Sequence, residues 1–276
     1  MSTVLPVVRI DGVSRVFARR DAEQRVLDGL SLDVAAGTFV CLLGRSGCGK
    51  STLLNMIAGL IAPSAGRITI DDTPVSGPRA TVGYLTQKDT LLPWRDVQRN
   101  VEMPLEIRNV VPAERAARAL DVIARVGLQG REHAYPRELS GGMARRASLA
   151  RLLIADPEVL LLDEPFSALD AQLRAEMQNE LLRLWSGSGK TVIFVTHDLE
   201  EAIALADKVV VVTASPGTVK ATFDVDLPRP RGAVQEIRFG DRFRELHHQI
   251  WDALREEVQR AYARTAGVTG TEEGSA

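Results

Sequence analysis

Short runs of consecutive apolar residues alternate along this chain with segments whose apolar positions recur at helical spacing. The runs at residues 39–43, 159–162 and 209–212 are continuously apolar, which is typical of strands buried on both faces. Segments with helical spacing follow the first two runs, LLNMIAGL and LDAQLRAEMQNELLRLW. This alternation predicts an α/β fold with a mainly parallel sheet and helices on its faces.

Two regions of the chain depart from that pattern. Residues 7–13 and 26–34 alternate apolar and polar side chains, as half-buried strands do, and they predict an antiparallel β subdomain near the N-terminus. From about residue 88 to 157 the pattern is helical, with AERAARALDVIARVGL as its clearest segment. We therefore expect a helical insert subdomain inside a domain that covers residues 7–225.

A proline cluster, LPRPRG, introduces a C-terminal extension over residues 226–264. We expect an amphipathic helix over residues 239–264 and disorder over residues 265–276, where small and polar side chains dominate. Arg229 and Arg231 lie in the proline cluster. We expect both to belong to a solvated linker.

Composition narrows the class of protein. The 276 residues are 45% hydrophobic and 25% charged, the balance of a soluble globular protein, and the net charge is -2. Without a basic excess we expect no nucleic-acid partner. We see neither a secretory signal nor an apolar run long enough to cross a bilayer. The two cysteines, Cys41 and Cys48, fit a reducing compartment better than a disulfide, so we expect a cytoplasmic location.

A glycine-rich segment between a strand and a helix predicts a phosphate-binding loop. It fits G-x-x-x-x-G-K-[ST] and consists of Gly44, Arg45, Ser46, Gly47, Cys48, Gly49, Lys50 and Ser51. The glycines let backbone N–H groups surround a phosphate, and the helix that follows points its positive end at the same anion. Lys50 is expected to reach the β- and γ-phosphates and Ser51 to bind Mg²⁺, with Thr52 beside them. The expected ligands are ATP and Mg²⁺.

A pair of carboxylates follows a buried strand about a hundred residues later, in VLLLDEP. Ligand-binding groups in open parallel sheets gather at the carboxyl ends of strands. We expect Asp163 to support Mg²⁺, directly or through water, and Glu164 to be the general base for the attacking water.

Between these motifs stands LSGGM, residues 139–143, followed by ARRASLARLLIADP. Here the sequence resembles the ATP-binding-cassette (ABC) ATPases, whose signature loop, LSGGQ, lies between the phosphate loop and the acidic strand. The resemblance extends over about residues 7–217, and it implies a RecA-like P-loop core. This chain departs from the common pattern at Met143, and we expect only secondary contacts to be affected.

The resemblance also assigns roles to single residues. Gln87 takes the place of the coupling glutamine that senses Mg²⁺ and the attacking water. His197, in VTHD, matches the switch histidine, and Phe17, in VSRVF, takes the place of the aromatic that stacks on adenine. The loop after the acidic strand is matched by Ser167, Ala168, Leu169 and Asp170, of which Asp170 is expected at the nucleotide site.

The signature loop implies an assembly. Ser140 is suited to cap the following helix, and Gly141 and Gly142 expose backbone N–H groups. In the family this helix end faces the γ-phosphate held by a second subunit, which implies a head-to-tail homodimer with ATP at its interface. The same resemblance implies integral-membrane permease subunits as partners and a place on the cytoplasmic face of the membrane.

Three sequence segments resemble those of one group within the family, the importers for nitrate, taurine and other aliphatic sulfonates. The segments are LLPWRDVQRNV, THDLEEAIALADKVVVVTASPG and VDLPRPR. A solute-binding protein would then be an indirect partner. The main alternative is the motor of another importer, of an exporter or of a lipid-trafficking system. The solute is not readable from this chain.

Two local features lead to further expectations. Leu91, Leu92, Pro93 and Trp94 form an apolar cluster just after Gln87. The cluster predicts either a permease interface or, equally, burial of Trp94 inside the helical insert. Cys48 lies near a helix N-terminus and Lys50, so we expect it to react with thiol reagents while Cys41, in a strand, stays inert. The alternative is that the loop is wrapped too tightly for any reagent to enter.

Overall fold

The computed structural model describes residues 6–19, 22–88, 90–167 and 169–268. The strands are β1 (Pro6–Arg19), β2 (Ala22–Ala35), β3 (Phe39–Leu43), β4 (Ala65–Ile70), β5 (Thr73–Pro74), β6 (Val82–Leu85), β7 (Val159–Asp163), β8 (Thr191–Thr196), β9 (Lys208–Val212) and β10 (Val219–Asp224). The helices are α1 (Lys50–Ile57), α2 (Val97–Ile107), α3 (Pro112–Arg125), α4 (Gly141–Ile154), α5 (Ala171–Trp185), α6 (Leu199–Leu205), α7 (Val234–Ile237) and α8 (Asp241–Val268), with a 3₁₀ turn at Pro136–Glu138.

The chain forms two compact units. The first consists of Met1–Gly77 and Val195–Ala276, and the second of Pro78–Phe194. Within the described ranges, no helix combines the length and the apolar character needed to cross a membrane.

An antiparallel sheet with the strand order β2-β1-β4-β5 opens the first unit. Ile10 of β1 pairs with Leu32 of β2 on one side and with Ile68 of β4 on the other, and all three side chains are buried. The alternating pattern therefore predicted this sheet correctly, because one face packs inward. The two-residue strand β5 is exposed and has no such pattern.

The first unit also contains β3, β9 and β10 as neighbours. β3 and β9 are parallel, with Leu42 opposite Val210, whereas β10 pairs antiparallel to β9. Every residue of β3 is buried, as its continuous apolar run predicted. β10 was not predicted, because its residues are exposed or half-buried and it lies at the edge of the strand order.

The C-terminal extension belongs to the first unit. α8 contacts α6, β9 and β10 and buries Phe243, Leu246 and Ile250, which recur at helical spacing. This helix corresponds to the one predicted for residues 239–264. It continues to Val268, four residues into the segment where composition favours disorder, and residues 269–276 lie outside the described part.

The expectation that Arg229 and Arg231 form a solvated linker is wrong. The Arg231 side chain is 1% exposed, and its guanidinium donates to the carbonyls of Ile203, Ala204 and Ala206 at the end of α6. Carbonyls at a helix C-terminus have no partner within the helix. A guanidinium can satisfy several of them at once and also complements the negative end of the helix.

The second unit combines strands with a group of helices. β6 and β7 are parallel, with Tyr84 opposite Leu161, and β8 is the next strand beyond β7. The helices α2, α3 and α4 share one apolar core, built from Val97, Val101, Leu105, Ala119, Val122, Ile123, Val126, Leu128, Ala147, Ala150 and Ile154. This region corresponds to the helical insert expected over residues 88–157.

Candidate functional site

The glycine-rich loop lies between β3 and α1, as predicted. Gly49 has φ 99°, a left-handed conformation that favours glycine. A Cβ atom there would lie 2.7 Å from Leu27 Cδ2, and one on Gly44 would lie 2.8 Å from the carbonyl oxygen of Val212. The phosphate loop can therefore adopt this conformation only with glycine at positions 44 and 49. The absence of side chains there lets the loop backbone lie close to Leu27 and Val212.

Lys50 begins α1 and is almost buried, with 5% exposure. Its Nζ donates to the carbonyl of Gly44 at 2.6 Å and to that of Arg45 at 2.8 Å, so the ammonium group is held against the loop itself. Arg45, Ser46 and Gly47 form the exposed crest of the loop, and Ser51 and Thr52 are half-buried in the first turn of α1. A cation, a helix N-terminus and exposed loop backbone together suit the binding of a polyphosphate.

Cys48 is less accessible than its sequence context suggests. It is 1% exposed, and its Sγ lies 3.6 Å from Lys50 Nζ. Burial raises the pKa of the Cys41 thiol well above its ordinary value, helped by the charges of Glu201 and Asp198, in agreement with the expected inertness of Cys41. For Cys48, the burial favours the alternative, namely that the loop is wrapped too tightly for a reagent to enter.

Two further predicted residues lie in the first unit. Phe17, in β1, is half-buried, and the Arg15 guanidinium lies over its ring, 4.5 Å from the ring centroid. A base that stacks on Phe17 would use the face opposite Arg15. His197 directly follows β8 and is exposed, while the adjacent Asp198 caps α6 by accepting from the Glu201 N–H at 3.1 Å.

The second unit carries the two carboxylates. Asp163 ends β7 and is 2% exposed. The Tyr84 hydroxyl lies 3.5 Å from Asp163 Oδ2, and burial together with this carboxylate raises the tyrosine pKa. Sequence reasoning missed Tyr84, since it lies on β6, 79 residues before its partner.

Glu164 and Gln87 are brought together. Gln87 Nε2 lies 3.4 Å from Glu164 Oε2. Glu164 has φ 45°, a left-handed conformation that is uncommon for a residue with a side chain and that occurs often at functional sites. The backbone thus turns sharply after the buried strand and leaves the carboxylate half-buried beside the glutamine.

The signature segment begins a helix, as predicted. Ser140 is the N-cap of α4, and its hydroxyl accepts from the Met143 N–H at 3.3 Å, which confirms the predicted cap. Gly141 is exposed, and a Cβ there would meet nothing within 4 Å. Gly142 is half-buried, and a Cβ there would lie 3.1 Å from Leu173.

Met143 packs against the apolar core of α2, α3 and α4, which explains how this position accepts an apolar side chain. The loop that follows β7 leads to α5, where the Asp170 carboxylate caps the helix by accepting from the Leu173 N–H at 2.9 Å. Ser167 donates to the Glu164 carbonyl at 3.1 Å. Ala168 lies outside the described residues.

The chain is similar to known proteins over most of its length. The family model described as ABC transporter matches residues 27–167. An ABC transporter ATP-binding protein of Methanocaldococcus jannaschii is 44% identical over 91% of this chain and 92% of that protein. The taurine import ATP-binding protein TauB of Yersinia pestis is 50% identical over 75% of this chain and 81% of that protein. The taurine import ATP-binding protein TauB of Rhizobium johnstonii is 44% identical over 88% of this chain and 95% of that protein.

A solved dimeric ATP-binding cassette, bound to ADP and phosphate in a post-hydrolysis state, matches with a TM-score of 0.73 and 28% identity. The match covers 82% of this chain and 99% of that one. It confirms the predicted fold class, an α/β cassette with mainly parallel strands, an antiparallel sheet in the N-terminal part and helical elements. By family match, identity and fold, the chain belongs to the ABC transporter family, as an ATP-binding ATPase coupled to transport.

Proposed function

We propose that this chain powers the import of a small anionic solute, of the aliphatic sulfonate, taurine or nitrate type, through separate permease subunits. The observation that carries the proposal is the identity of 50% and 44% to two proteins described as taurine import ATP-binding proteins. We place the ATPase domain at residues 7–225, and the C-terminal extension at residues 226–264. The subunit would lie peripherally on the cytoplasmic face of the membrane.

The proposed chemical step uses residues of the second unit. Glu164 accepts the proton of the attacking water, because it is the half-buried carboxylate at the carboxyl end of β7. Gln87, at 3.4 Å, orients the same water and restrains the carboxylate. From the first unit, Lys50 binds the β- and γ-phosphates, Phe17 stacks on the base, and His197 stabilises the γ-phosphate.

The side chains proposed to bind Mg²⁺ in each unit have the chemistry that this ion requires. The Ser51 hydroxyl, the Gln87 amide oxygen and the Asp163 carboxylate are hard oxygen ligands, the kind that Mg²⁺ prefers. Asp163 is 2% exposed at the end of β7, so its carboxylate is fixed by its surroundings. When bound, the ion would neutralise charge on the β- and γ-phosphates.

The proposed active form is a head-to-tail homodimer. Two structural matches are solved as dimers. The N-terminus of α4 leaves Gly141 exposed, and helix N-termini attract anions, which supports the proposal. In such a dimer, Ser140, Gly141 and Gly142 of one subunit contact the ATP bound by the other. Asp170, which caps α5, contributes to the same nucleotide site.

The apolar cluster after Gln87 is the proposed permease contact. Trp94 is 70% exposed, so it is not buried in the helical insert. The buried Asn100 side chain holds this loop, since it accepts from the Leu92 N–H at 2.7 Å and donates to the Leu92 and Arg95 carbonyls. Leu91 packs on the helical core. The loop therefore presents the Trp94 indole from a fixed backbone, as a docking residue requires.

Gene replacement tests the proposal. A strain that lacks this chain is complemented with the wild type or with Glu164→Gln, and uptake of labelled taurine, an alkanesulfonate and nitrate is measured. The wild type should restore uptake of one of these solutes, through a permease and a solute-binding protein, and the variant should not. If none of the three solutes is taken up in a chain-dependent manner, the alternative holds, namely the motor of another importer, of an exporter or of a lipid-trafficking system.

A further inference from the structure

A buried arginine on α4, Arg145, is hydrogen-bonded to both segments that carry the proposed hydrolytic residues. The residue is 5% exposed. Its Nε donates to the Pro165 carbonyl at 2.8 Å, and one Nη donates to the Asp163 carbonyl at 3.0 Å. The other Nη donates to the carbonyl of Thr86 and, at 3.4 Å, to that of Gln87.

These acceptors flank the two hydrolytic side chains. Asp163 and Pro165 are the neighbours of Glu164 in the chain, and Thr86 immediately precedes Gln87. A guanidinium group is planar and presents its donors in fixed directions, so one side chain sets the spacing of two backbone segments. The left-handed conformation of Glu164, with φ 45°, persists only if its surroundings hold it.

The same side chain belongs to the helix that the signature begins. α4 starts after the Ser140 cap, so Arg145 lies in its second turn. A shift of this helix moves the guanidinium, and with it the carbonyls on either side of Glu164. Buried, close-packed elements transmit such shifts between discrete arrangements.

We propose that Arg145 is a positioning residue that makes hydrolysis in each subunit depend on the placement of that subunit's own signature helix. The inference rests on the proposed function of Glu164 as base and of the α4 N-terminus as the contact to the partner's ATP. Engagement of one nucleotide site would thereby set the geometry of the carboxylate in the other.

The neighbouring Arg146 provides a matched control. It lies on the same helix and also donates to main-chain carbonyls, those of Gly127 at 2.7 Å and Val126 at 3.3 Å. Those carbonyls lie at the end of α3, away from Gln87 and Glu164 in sequence. Loss of Arg146 thus removes a similar set of bonds from α4 without touching the hydrolytic segments.

The test compares Arg145→Gln, Arg145→Lys and Arg146→Gln in the full chain, with kcat, the ATP dissociation constant and the thermal midpoint as readouts. Lysine keeps the positive charge but lacks the planar guanidinium group whose N–H donors point in fixed directions. Since a misplacement of about 1 Å costs roughly 100-fold in rate, both Arg145 variants should lose about that factor in kcat. Their ATP dissociation constant should stay within about twofold, because the phosphate loop is unchanged.

Arg146→Gln should keep its kcat. An equal loss of kcat in Arg146→Gln would mean that helix stability alone is responsible, and it would overturn the inference. Wild-type kcat in both Arg145 variants would overturn it as well. If Arg145→Gln does not fold, Arg145→Lys decides.

A double-mutant cycle with Gln87→Ala adds a second criterion. If Arg145 acts through the Gln87 segment, the double variant loses less kcat than the product of the two single-variant factors. If the two residues act independently, the factors multiply. Multiplying losses would exclude coupling through Gln87. Hydrolysis at the wild-type rate by Glu164→Gln would instead remove the proposed function, so the two failures are distinguishable.

Discussion

The side-chain amide of Gln87 lies 3.4 Å from a carboxylate oxygen of Glu164, although the two residues are 77 positions apart in the chain. The contact joins the segment after β6 to the end of β7, two parallel neighbours. The carboxylate proposed as the general base therefore contacts the segment through which the chain enters the helical part of the second unit.

Glu164→Gln should abolish hydrolysis while ATP binding persists. Glutamine keeps the shape and the contact to Gln87 but cannot accept a proton, and loss of a general base costs about 10²–10⁴-fold in rate. ATP-dependent dimers should accumulate, which size-exclusion chromatography with ATP measures. Glu158→Gln, at an exposed residue before β7, is the control. Near wild-type turnover of Glu164→Gln would show that another group is the base.

Gly217→Ala should weaken ATP binding. A Cβ on Gly217 would lie 2.2 Å from the carbonyl oxygen of Cys48, so the phosphate loop or the loop at Gly217 must shift. We expect the ATP dissociation constant to rise by about tenfold, equivalent to about 1.4 kcal/mol. Gly77→Ala, where a Cβ would meet nothing within 4 Å, is the control. Unchanged affinity in Gly217→Ala would mean that the contact relaxes without moving the phosphate loop.

The sequence predicted the parts of the candidate site that lie close together in the chain. The phosphate loop was predictable because β3, the glycines and Lys50 are adjacent, and Glu164 because it directly follows a continuously apolar strand. The contacts of Tyr84, Arg145 and Arg231 were not predictable, because their partners are distant in the chain. The partner of Tyr84 lies 79 positions away, those of Arg145 lie 18–59 positions away, and those of Arg231 lie 25–28 positions away. A lone arginine in a sequence does not reveal which backbone carbonyls it will meet.

Arg231→Ala should destabilise the protein. The change removes the donors of the Ile203, Ala204 and Ala206 carbonyls at the end of α6. Each buried group left without a hydrogen bond costs about 1–3 kcal/mol, so the free energy of unfolding should fall by roughly 3 kcal/mol or more. Arg67→Ala, at a side chain 72% exposed, should change it by less than about 0.5 kcal/mol. Equal denaturation midpoints for the two variants would show that water replaces the guanidinium.

Trp94→Glu should uncouple the subunit from its permease without unfolding it. The indole is 70% exposed, so a charge there costs the isolated chain little, whereas burial of such a side chain in a permease groove contributes about 1.5–3 kcal/mol. Addition of Leu92→Glu, at a half-buried residue whose backbone Asn100 holds, should deepen the defect. The measurements are copurification of the permease, solute uptake and the thermal midpoint of the isolated subunit.

The control for this surface is Ile107→Glu, because Ile107 is also an exposed apolar residue of the second unit, 71% exposed, but lies at the end of α2. If both variants bind ATP with wild-type affinity and only Trp94→Glu loses the permease, the contact is specific to the loop after Gln87. If Trp94→Glu keeps both copurification and uptake, the permease contacts another surface. If Ile107→Glu loses them equally, the contact surface extends to the end of α2, and Trp94 alone does not define it.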